Sequence, residues 1–469
     1  MSNKKTSFTF IHTADLHLGR NISVGDKSSS NVDSRYFRLK DELIKRAFQA
    51  PLTALKNLVS VAVENKVDFI VIAGDVFDKH TNSGELYTEF YKMLSELSRN
   101  KIRVYITLGN HDRMNYTPGD SDLLSDFKNN KLPKGVYVFD DKKSESFQDD
   151  LCNVIVHGQS FEEQHVHKAL VKDFPKKKNN IFNIGVLHTD CKGSSPNDPK
   201  RNPYAPTSKS NLSPLNYDYW AFGHIHLRST PIESMPEVIY SGNPQGLNTK
   251  PAEMNEKGCV MVSVNDGKFK HSFIELDDAR FLEINLSVTA KDSWGDFKSK
   301  VLDKCSDIQW ENSRILNLIK LTITGNNSEV KRIISSSIES KKLIRETSSD
   351  NLQVIQIDTQ KLKGEDVQSS FGIVENLTNQ HKNLDKQKLL DLIFDEASKE
   401  IEKEYQKDFK AGSKETFLAE TTSAKDSSDE YEDLVKTAKT VAENILNGIP
   451  YGGESCLLYT SDAADDDAC

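Results

Sequence analysis

Eight short runs of β-branched and aromatic residues, each ending in polar residues and each followed by a turn or a helical stretch, fill the first 276 residues and leave few folds open. The runs are FTFIH (8–12), VDFIVIA (67–73), KIRVYITL (101–108), NVIVHG (153–158), IFNIGVLH (181–188), YDYWAFGH (217–224), EVIYSG (237–242) and CVMVSV (259–264). Runs that are apolar throughout fit strands buried on both faces, and the stretches 43–65 and 83–99 supply covering helices. The expected fold class is α/β, a β-sandwich flanked by helices.

A second pattern begins near Asp278. It reads strand (281–288), helix (292–303), strand (314–325), helix (328–339) and strand (352–358), a small α+β module. The expected domains are therefore 1–276 for the sandwich and 277–380 for the module, read as a cap that guides the substrate. Residues 381–412 read as a charged helix and 413–430 as an acidic linker. In 431–450, Leu434, Ala438, Val441 and Ile445 form the apolar stripe of an amphipathic helix, a form suited to docking a partner. Residues 451–469 have no periodicity and read as non-native sequence.

With 469 residues and 36% hydrophobic content, the chain can bury at least one large core. Its six cysteines are far apart and form no CxxC pair, which argues against a disulfide framework or a thiolate metal site and for reduced thiols. The apolar stretch near the start is soon interrupted by His12, Asp15 and His17, unlike a signal peptide, and no apolar run reaches 18 residues. A cytoplasmic protein with no membrane span is expected. The net charge of -9 argues against nucleic acid, yet residues from Ser413 onward hold 13 acids and 4 bases, which accounts for all of it. A near-neutral remainder is compatible with DNA where metal ions supply the positive charge.

Five strand ends carry residues of the kind that hold metals: Asp15 and His17; Asp75 after Gly74; Asn110, His111 and Asp112 after Gly109; His188; and His224 and His226 after Gly223. A lone DxH or HxH is commonly an accident of surface or core, and a GD after a strand is often a turn. All five together, each at a strand end, exceed what one ion needs, and carboxylates mixed with imidazoles suit Mn, Fe or Zn. Two ions about 3.5–4 Å apart would clamp a phosphodiester and activate a water. A carboxylate can give one oxygen to each ion, which makes Asp75 the natural bridge. Residues two apart at a strand end point to one side, so Asp15 and His17 can share an ion, while His224 and His226 can each reach a different one.

The strings HTADLHLG (12–19), AGDVFD (73–78), LGNHDR (108–113), VLHTD (186–190) and FGHIH (222–226) resemble the five signature blocks of the calcineurin-like metallophosphoesterases. Within that superfamily the ADLHLG and GDVFD blocks resemble the SbcD-type DNA repair exonucleases. VIVHGQSF (154–161), YAPTSKSNL (204–212) and SGNPQGLNTK (241–250) look like the bacterial YhaO branch. The likeness covers roughly residues 8–270. It implies a calcineurin-like metallophosphoesterase β-sandwich followed by a small α+β capping domain and C-terminal helices, and a DNA repair exonuclease that uses two divalent ions, with Mn2+ preferred.

Carried over residue by residue, the resemblance implies one ion on Asp15, His17 and His226 and another on Asn110, His188 and His224, with Asp75 bridging. His111 then meets the scissile phosphate, and Asp112 orients it by accepting its other ring N–H. Implied partners are DNA and an SbcC- or YhaN-like coiled-coil ATPase; a homodimer is compatible with the family. One departure stands out: Asp78 occupies a position where archaeal and eukaryotic relatives carry a second histidine, which leaves open how a DNA strand is placed. The blocks alone fit a phosphatase or a cyclic-nucleotide phosphodiesterase equally well. A binding module with a decayed site is the third reading, against which every expected ligand is present. His12 reads as structural, His165 and His167 as solvated in a polar helix start, and Lys200, Arg201 and Lys209 as phosphate contacts or merely a soluble loop.

Overall fold

The computed structural model describes residues 4–22, 41–78, 84–113, 132–191, 203–232, 237–311, 314–335 and 337–364. The expected charged helix, linker, docking helix and tail between 381 and 469 lie outside them, as do Lys200 and Arg201. The described residues divide into two compact units. The first runs to Ile284 and adds Asp303–Thr322 and Thr347–Ile357; the second takes Asn285–Leu302, Ile323–Glu346 and the residues from Asp358.

In chain order the elements up to residue 275 are β1 (Phe8–Thr13), α1 (Asp41–Glu64), β2 (Phe69–Ala73), α2 (Gly84–Arg99), β3 (Arg103–Thr107), β4 (Val136–Val138), β5 (Glu145–Gln148), β6 (Val154–Gly158), β7 (Phe182–His188), α3 (Lys209–Leu212), β8 (Tyr219–Gly223), β9 (Ser229–Ile232), β10 (Val238–Tyr240), β11 (Gly258–Asn265) and β12 (Lys268–Glu275). They build two six-stranded sheets, β12-β11-β1-β2-β3-β4 and β5-β6-β7-β8-β10-β9. Four strands of each run parallel, β1 to β4 in one and β6, β7, β8 and β10 in the other. Antiparallel strands occupy the remaining places.

The two sheets share one core. Phe8, Phe10, Phe69, Val71 and Tyr105 from the first pack with Val154, Phe182, Ile184 and Tyr219 from the second, and Phe10 stacks on Phe69 with centroids 4.9 Å apart. The outer face of the first sheet buries Ile70, Ile72 and Val104 against Leu55 and Leu58 of α1 and Phe90 and Leu94 of α2. The second sheet's outer face carries Trp220 and Phe222 under Phe161, Leu170 and Phe174. Strands covered on both faces need apolar side chains at every position, which is why β2, β3 and β8 are buried throughout. The sequence reading omits β4, β5, β9 and β12. All four are edge strands, and β5 (ESFQ) and β12 (KFKHSFIE) are largely exposed and lack a continuous apolar run.

Past residue 278 come β13 (Ala279–Val288), α4 (Trp294–Glu311), β14 (Leu316–Asn326), α5 (Ser328–Ser335), α6 (Ser337–Thr347) and β15 (Leu352–Lys363), with the three strands in one sheet. Within the first unit, Phe281, Leu316, Leu318 and Ile355 pack against Ile22, Ala47, Ala50 and Met254, and Arg46 forms an ion pair with Asp278 at 2.9 Å. In the second unit Ser293 and Asp296 cap α4 reciprocally, Asp296 N–H donating to Ser293 Oγ (3.2 Å) and Ser293 N–H to Asp296 Oδ2 (3.0 Å). Val330 N–H donates to Asn327 Oδ1 (2.8 Å), which caps α5. The helix expected over 328–339 corresponds to α5 and the start of α6, and Ser335 Oγ donates back to Lys331 O at 2.7 Å.

Candidate metal centre

Each polar cluster stands at the carboxyl end of a parallel strand, where α/β sheets leave a crevice for ligands. The loops after β1 and β2 stay paired beyond the strands: Asp15 N–H donates to Gly74 O (3.0 Å), His17 N–H to Asp75 O (3.1 Å) and Leu18 N–H to Val76 O (3.0 Å). Asp15, His17, Asp75 and His224 take φ of 54°, 43°, 51° and 96°. Such backbone costs about 1–3 kcal/mol per residue and persists only where the surroundings enforce it. Here it occurs at four of the expected ligands.

Asp75 is the hub. Its Oδ2 lies 3.3 Å from His188 Nε2 and 3.7 Å from His17 Nε2, and its Oδ1 accepts the His111 N–H at 2.9 Å. Asn110 Oδ1 lies 2.9 Å from His188 Nε2, and His17 Nε2 lies 3.1 Å from His226 Nε2. Asp15, His17 and His226 bring ligand atoms within 4.8 Å of one another, as do Asp15, Asp75 and His188, and as do His17, Asp78 and His111. The His224 ring falls outside these groups. Its centroid is 5.1 Å from that of His188, and its backbone N–H donates to Asp15 Oδ1 at 3.0 Å.

The donor set fits divalent cations. Two imidazole nitrogens each about 2 Å from a shared ion stand about 3 Å apart, which is the His17–His226 separation. The buried Asp75 carboxylate also calls for positive charge beside it. Burial lowers the pKa of the His188 ring, but Asp75 outweighs it and lifts the ring to about 9. Asp75 in turn is held well below the usual carboxylate range, against its burial, by His188, His111 and His17. An ion ligated by His188 must displace that proton. Ion uptake at pH 7–8 is therefore expected to release protons, and apparent affinity to rise by up to about tenfold per pH unit until pH 9, then level off. Calorimetric titration in two buffers of different ionisation enthalpy checks this: equal heats in both would contradict it.

Asp112 departs from its expected contact. Its two oxygens accept the backbone N–H groups of Gly109 (2.8 Å), Phe77 (2.9 Å) and Val76 (3.2 Å). The short 3-10 turn His111–Arg113 points Asp112 back at the β2 loop, so it ties two ligand loops together and does not accept from the His111 ring. Burial, with the Asp75 charge adding to it, pushes its pKa up to about 7. The carboxylate beside the ring is Asp78, with Oδ1 3.6 Å from His111 Nδ1 and Oδ2 3.6 Å from His17 Nδ1 and 3.3 Å from Arg20. Burial raises the Asp78 pKa, but His111 and His17 together hold it far below the ordinary value.

Sequence reasoning gives no role to Asp190 or Glu253, whose carboxylates face His224 Nε2 (3.4 Å) and His226 Nδ1 (2.5 Å). Asp190 sits inside the VLHTD string, but Glu253 lies in a separate segment and carries no local signal. His12 is structural as expected, bonded to Tyr219 Oη (3.0 Å) and Phe222 O (3.2 Å), and burial lowers its pKa to about 3. His157 is held by Ser146 and Asn183. His165 and His167 lie in no helix. The half-buried His165 ring sits 4.2 Å from both His167 and Tyr204. Lys209 opens α3.

The glycine of the GNHD turn is sterically required. A Cβ on Gly109 would lie 2.2 Å from Asp75 Oδ1 and 2.8 Å from the His188 ring. Gly109→Ala is expected to push both side chains by the better part of an ångström and to cost about 100-fold in turnover. Metal analysis should show weakened uptake while circular dichroism stays unchanged; wild-type uptake would contradict the expectation.

Comparison with known proteins matches the description calcineurin-like phosphoesterase to residues 8–228. The chain is 27% identical to the uncharacterized metallophosphoesterase YhaO of Bacillus subtilis, over 69% of this chain and 73% of that one. It is 22% identical to the DNA double-strand break repair protein Mre11 of Thermoplasma acidophilum, over 68% and 77%. It is 23% identical to the SbcD component of the nuclease SbcCD of Escherichia coli K12, over 55% and 66%. With the two-sheet sandwich and the polar clusters at its strand ends, residues 8–228 form a calcineurin-like phosphoesterase domain, similar to YhaO and to the SbcD-type proteins.

Proposed function

We propose that the protein is a two-metal-dependent DNA nuclease that hydrolyses phosphodiester bonds in DNA repair, with Mn2+ as the working ion. The observation that carries this is Asp75, one carboxylate reaching both a His17 side and a His188 side, with His111 held against it through the backbone. Likeness to Mre11 and to the SbcCD nuclease favours DNA over a phosphomonoester. Asp15, His17 and His226 would hold one ion and Asn110, His188 and His224 the other, with Asp75 shared. Ions so placed supply an activated water and offset the charge on the phosphate.

The protein's own groups do the rest. His111 takes its place from its N–H bond to Asp75, with Asp78 facing its ring Nδ1, and its imidazole would protonate the leaving oxygen. Asp112 keeps the GNHD turn and the β2 loop in register through three backbone bonds. A coiled-coil ATPase of the SbcC or YhaN kind and a cytoplasmic setting belong to the same proposal. No helix among the described residues is long and apolar enough to cross a membrane.

The test is purified protein with Mn2+ against linear duplex DNA, single-stranded DNA, bis-p-nitrophenyl phosphate and p-nitrophenyl phosphate. Cleavage of DNA and of the diester is expected. Activity confined to the monoester would make the protein a phosphatase and overturn the proposal.

A further inference from the structure

Arg20 stands three residues beyond His17, where the loops after β1 and β2 run side by side. Asp78 N–H donates to Leu18 O (3.0 Å) and Arg20 N–H to His17 O (3.0 Å), with Gly19 at a φ of 90° making the turn between them. The Arg20 backbone is therefore fixed relative to the expected ligands, while its side chain remains 36% exposed. Among the described residues that side chain has one partner, Asp78, whose Oδ2 lies 3.3 Å from Nη1. The buried Asp78 carboxylate also faces His111 Nδ1 through Oδ1 and His17 Nδ1 through Oδ2, each at 3.6 Å. One carboxylate thus gathers two imidazoles and a guanidinium, and it holds Arg20 beside the histidine proposed to meet the scissile phosphate.

Ion pairs that serve only the fold take another form in this protein. Arg103 reaches both oxygens of Asp149 (2.8 and 2.9 Å) with its side chain 10% exposed, and Arg280 reaches both oxygens of Asp277 (2.8 Å each) with its side chain 3% exposed. Arg20 makes one longer contact and stays in reach of solvent. A guanidinium carries five N–H donors in a planar fork, so a single contact with Asp78 leaves donors for a second anion. We propose that Arg20 is a phosphate clamp for the backbone phosphate next to the scissile one, with Asp78 as its positioning residue, so that the site favours a polynucleotide over an isolated diester. This rests on the nuclease reading above. Contacts to backbone phosphates place a strand without reading its bases, so the preference is for a chain and not for a sequence.

The experiment compares kcat/KM of the Mn2+-loaded full chain on bis-p-nitrophenyl phosphate, a dinucleoside monophosphate and a single-stranded oligonucleotide, with melting temperature recorded alongside. The first two have no phosphate beside the one that is cut. Arg20→Ala is expected to cost about tenfold or more on the oligonucleotide beyond any loss on the small diesters, chiefly through KM. Arg20→Lys, which keeps the charge but not the fork, should recover part of it. In a His111→Gln background, where turnover is slow, fluorescence anisotropy reads binding of a single strand directly. There Arg20→Ala should lower the slope of log Kd against log salt by about 0.7, and Arg20→Lys should keep it. Equal losses on all three substrates would mean that Arg20 acts only through Asp78 on the catalytic groups, and no loss on any would make it a surface ion pair. Either result overturns the inference while the nuclease reading stands. A wild type that leaves the oligonucleotide uncut would overturn both.

Discussion

Asp75→Asn is expected to abolish turnover, by about 10³-fold or more, and to leave fewer than two ions per chain. The charge on this side chain reaches the His17 and the His188 sides alike, so neutralising it weakens both sites at once. Bridging stabilisation of this sort contributes several kcal/mol, and each 1.36 kcal/mol is about a factor of ten. The change is nearly isosteric, and the amide oxygen can still accept from His111 N–H, so the turn keeps its shape. Metal analysis beside a diester assay decides it. Two tightly bound ions with full activity would show that the shared carboxylate is not what assembles the centre.

His111→Gln should give the opposite pattern, two ions retained and turnover reduced by about 10²–10⁴-fold. His111 is attached to the hub through its backbone N–H, not its ring, so removing the ring leaves the ligand geometry in place. The loss should fall on kcat and on kcat/KM about equally, the mark of an interaction made only in the transition state. Loss of an ion in this variant would make the ring a ligand. Asp78→Asn offers a companion measurement: a milder fall is expected, because the ring loses its orienting charge but stays in place.

The sheets and the polar clusters were legible because both depend on local patterns. A strand covered on both faces must be apolar from end to end, so β1, β2, β3, β7 and β8 announce themselves, and the polar residues that follow them stand out against that background. Edge strands such as β5 and β12 have no such constraint and were invisible. The boundary expected after residue 276 follows a change in sequence pattern, whereas compactness follows burial: Phe281, Leu316 and Ile355 pack with Ala47 and Met254 in the first unit. In the site, spacing suggested that Asp15 and His17 act together, but not where Asp112 points, because that depends on a 3-10 turn. Glu253 could not be found by spacing at all. It meets His226 across 27 residues, through a fold contact that no local string encodes.

The proposed ligands are drawn from both halves of the sandwich: β1, β2 and β3 of one sheet lead into Asp15, His17, Asp75 and Asn110, and β7 and β8 of the other lead into His188, His224 and His226. A metal centre built from them would lie astride the seam between the sheets, with the shared aromatic core of Phe10, Phe69 and Tyr219 behind it. A slip of one sheet against the other by a fraction of an ångström would open the centre before it unfolded anything. Filling or emptying space around Phe10, Phe69 and Tyr219 would then be expected to change ion affinity from the interior, without touching a single ligand.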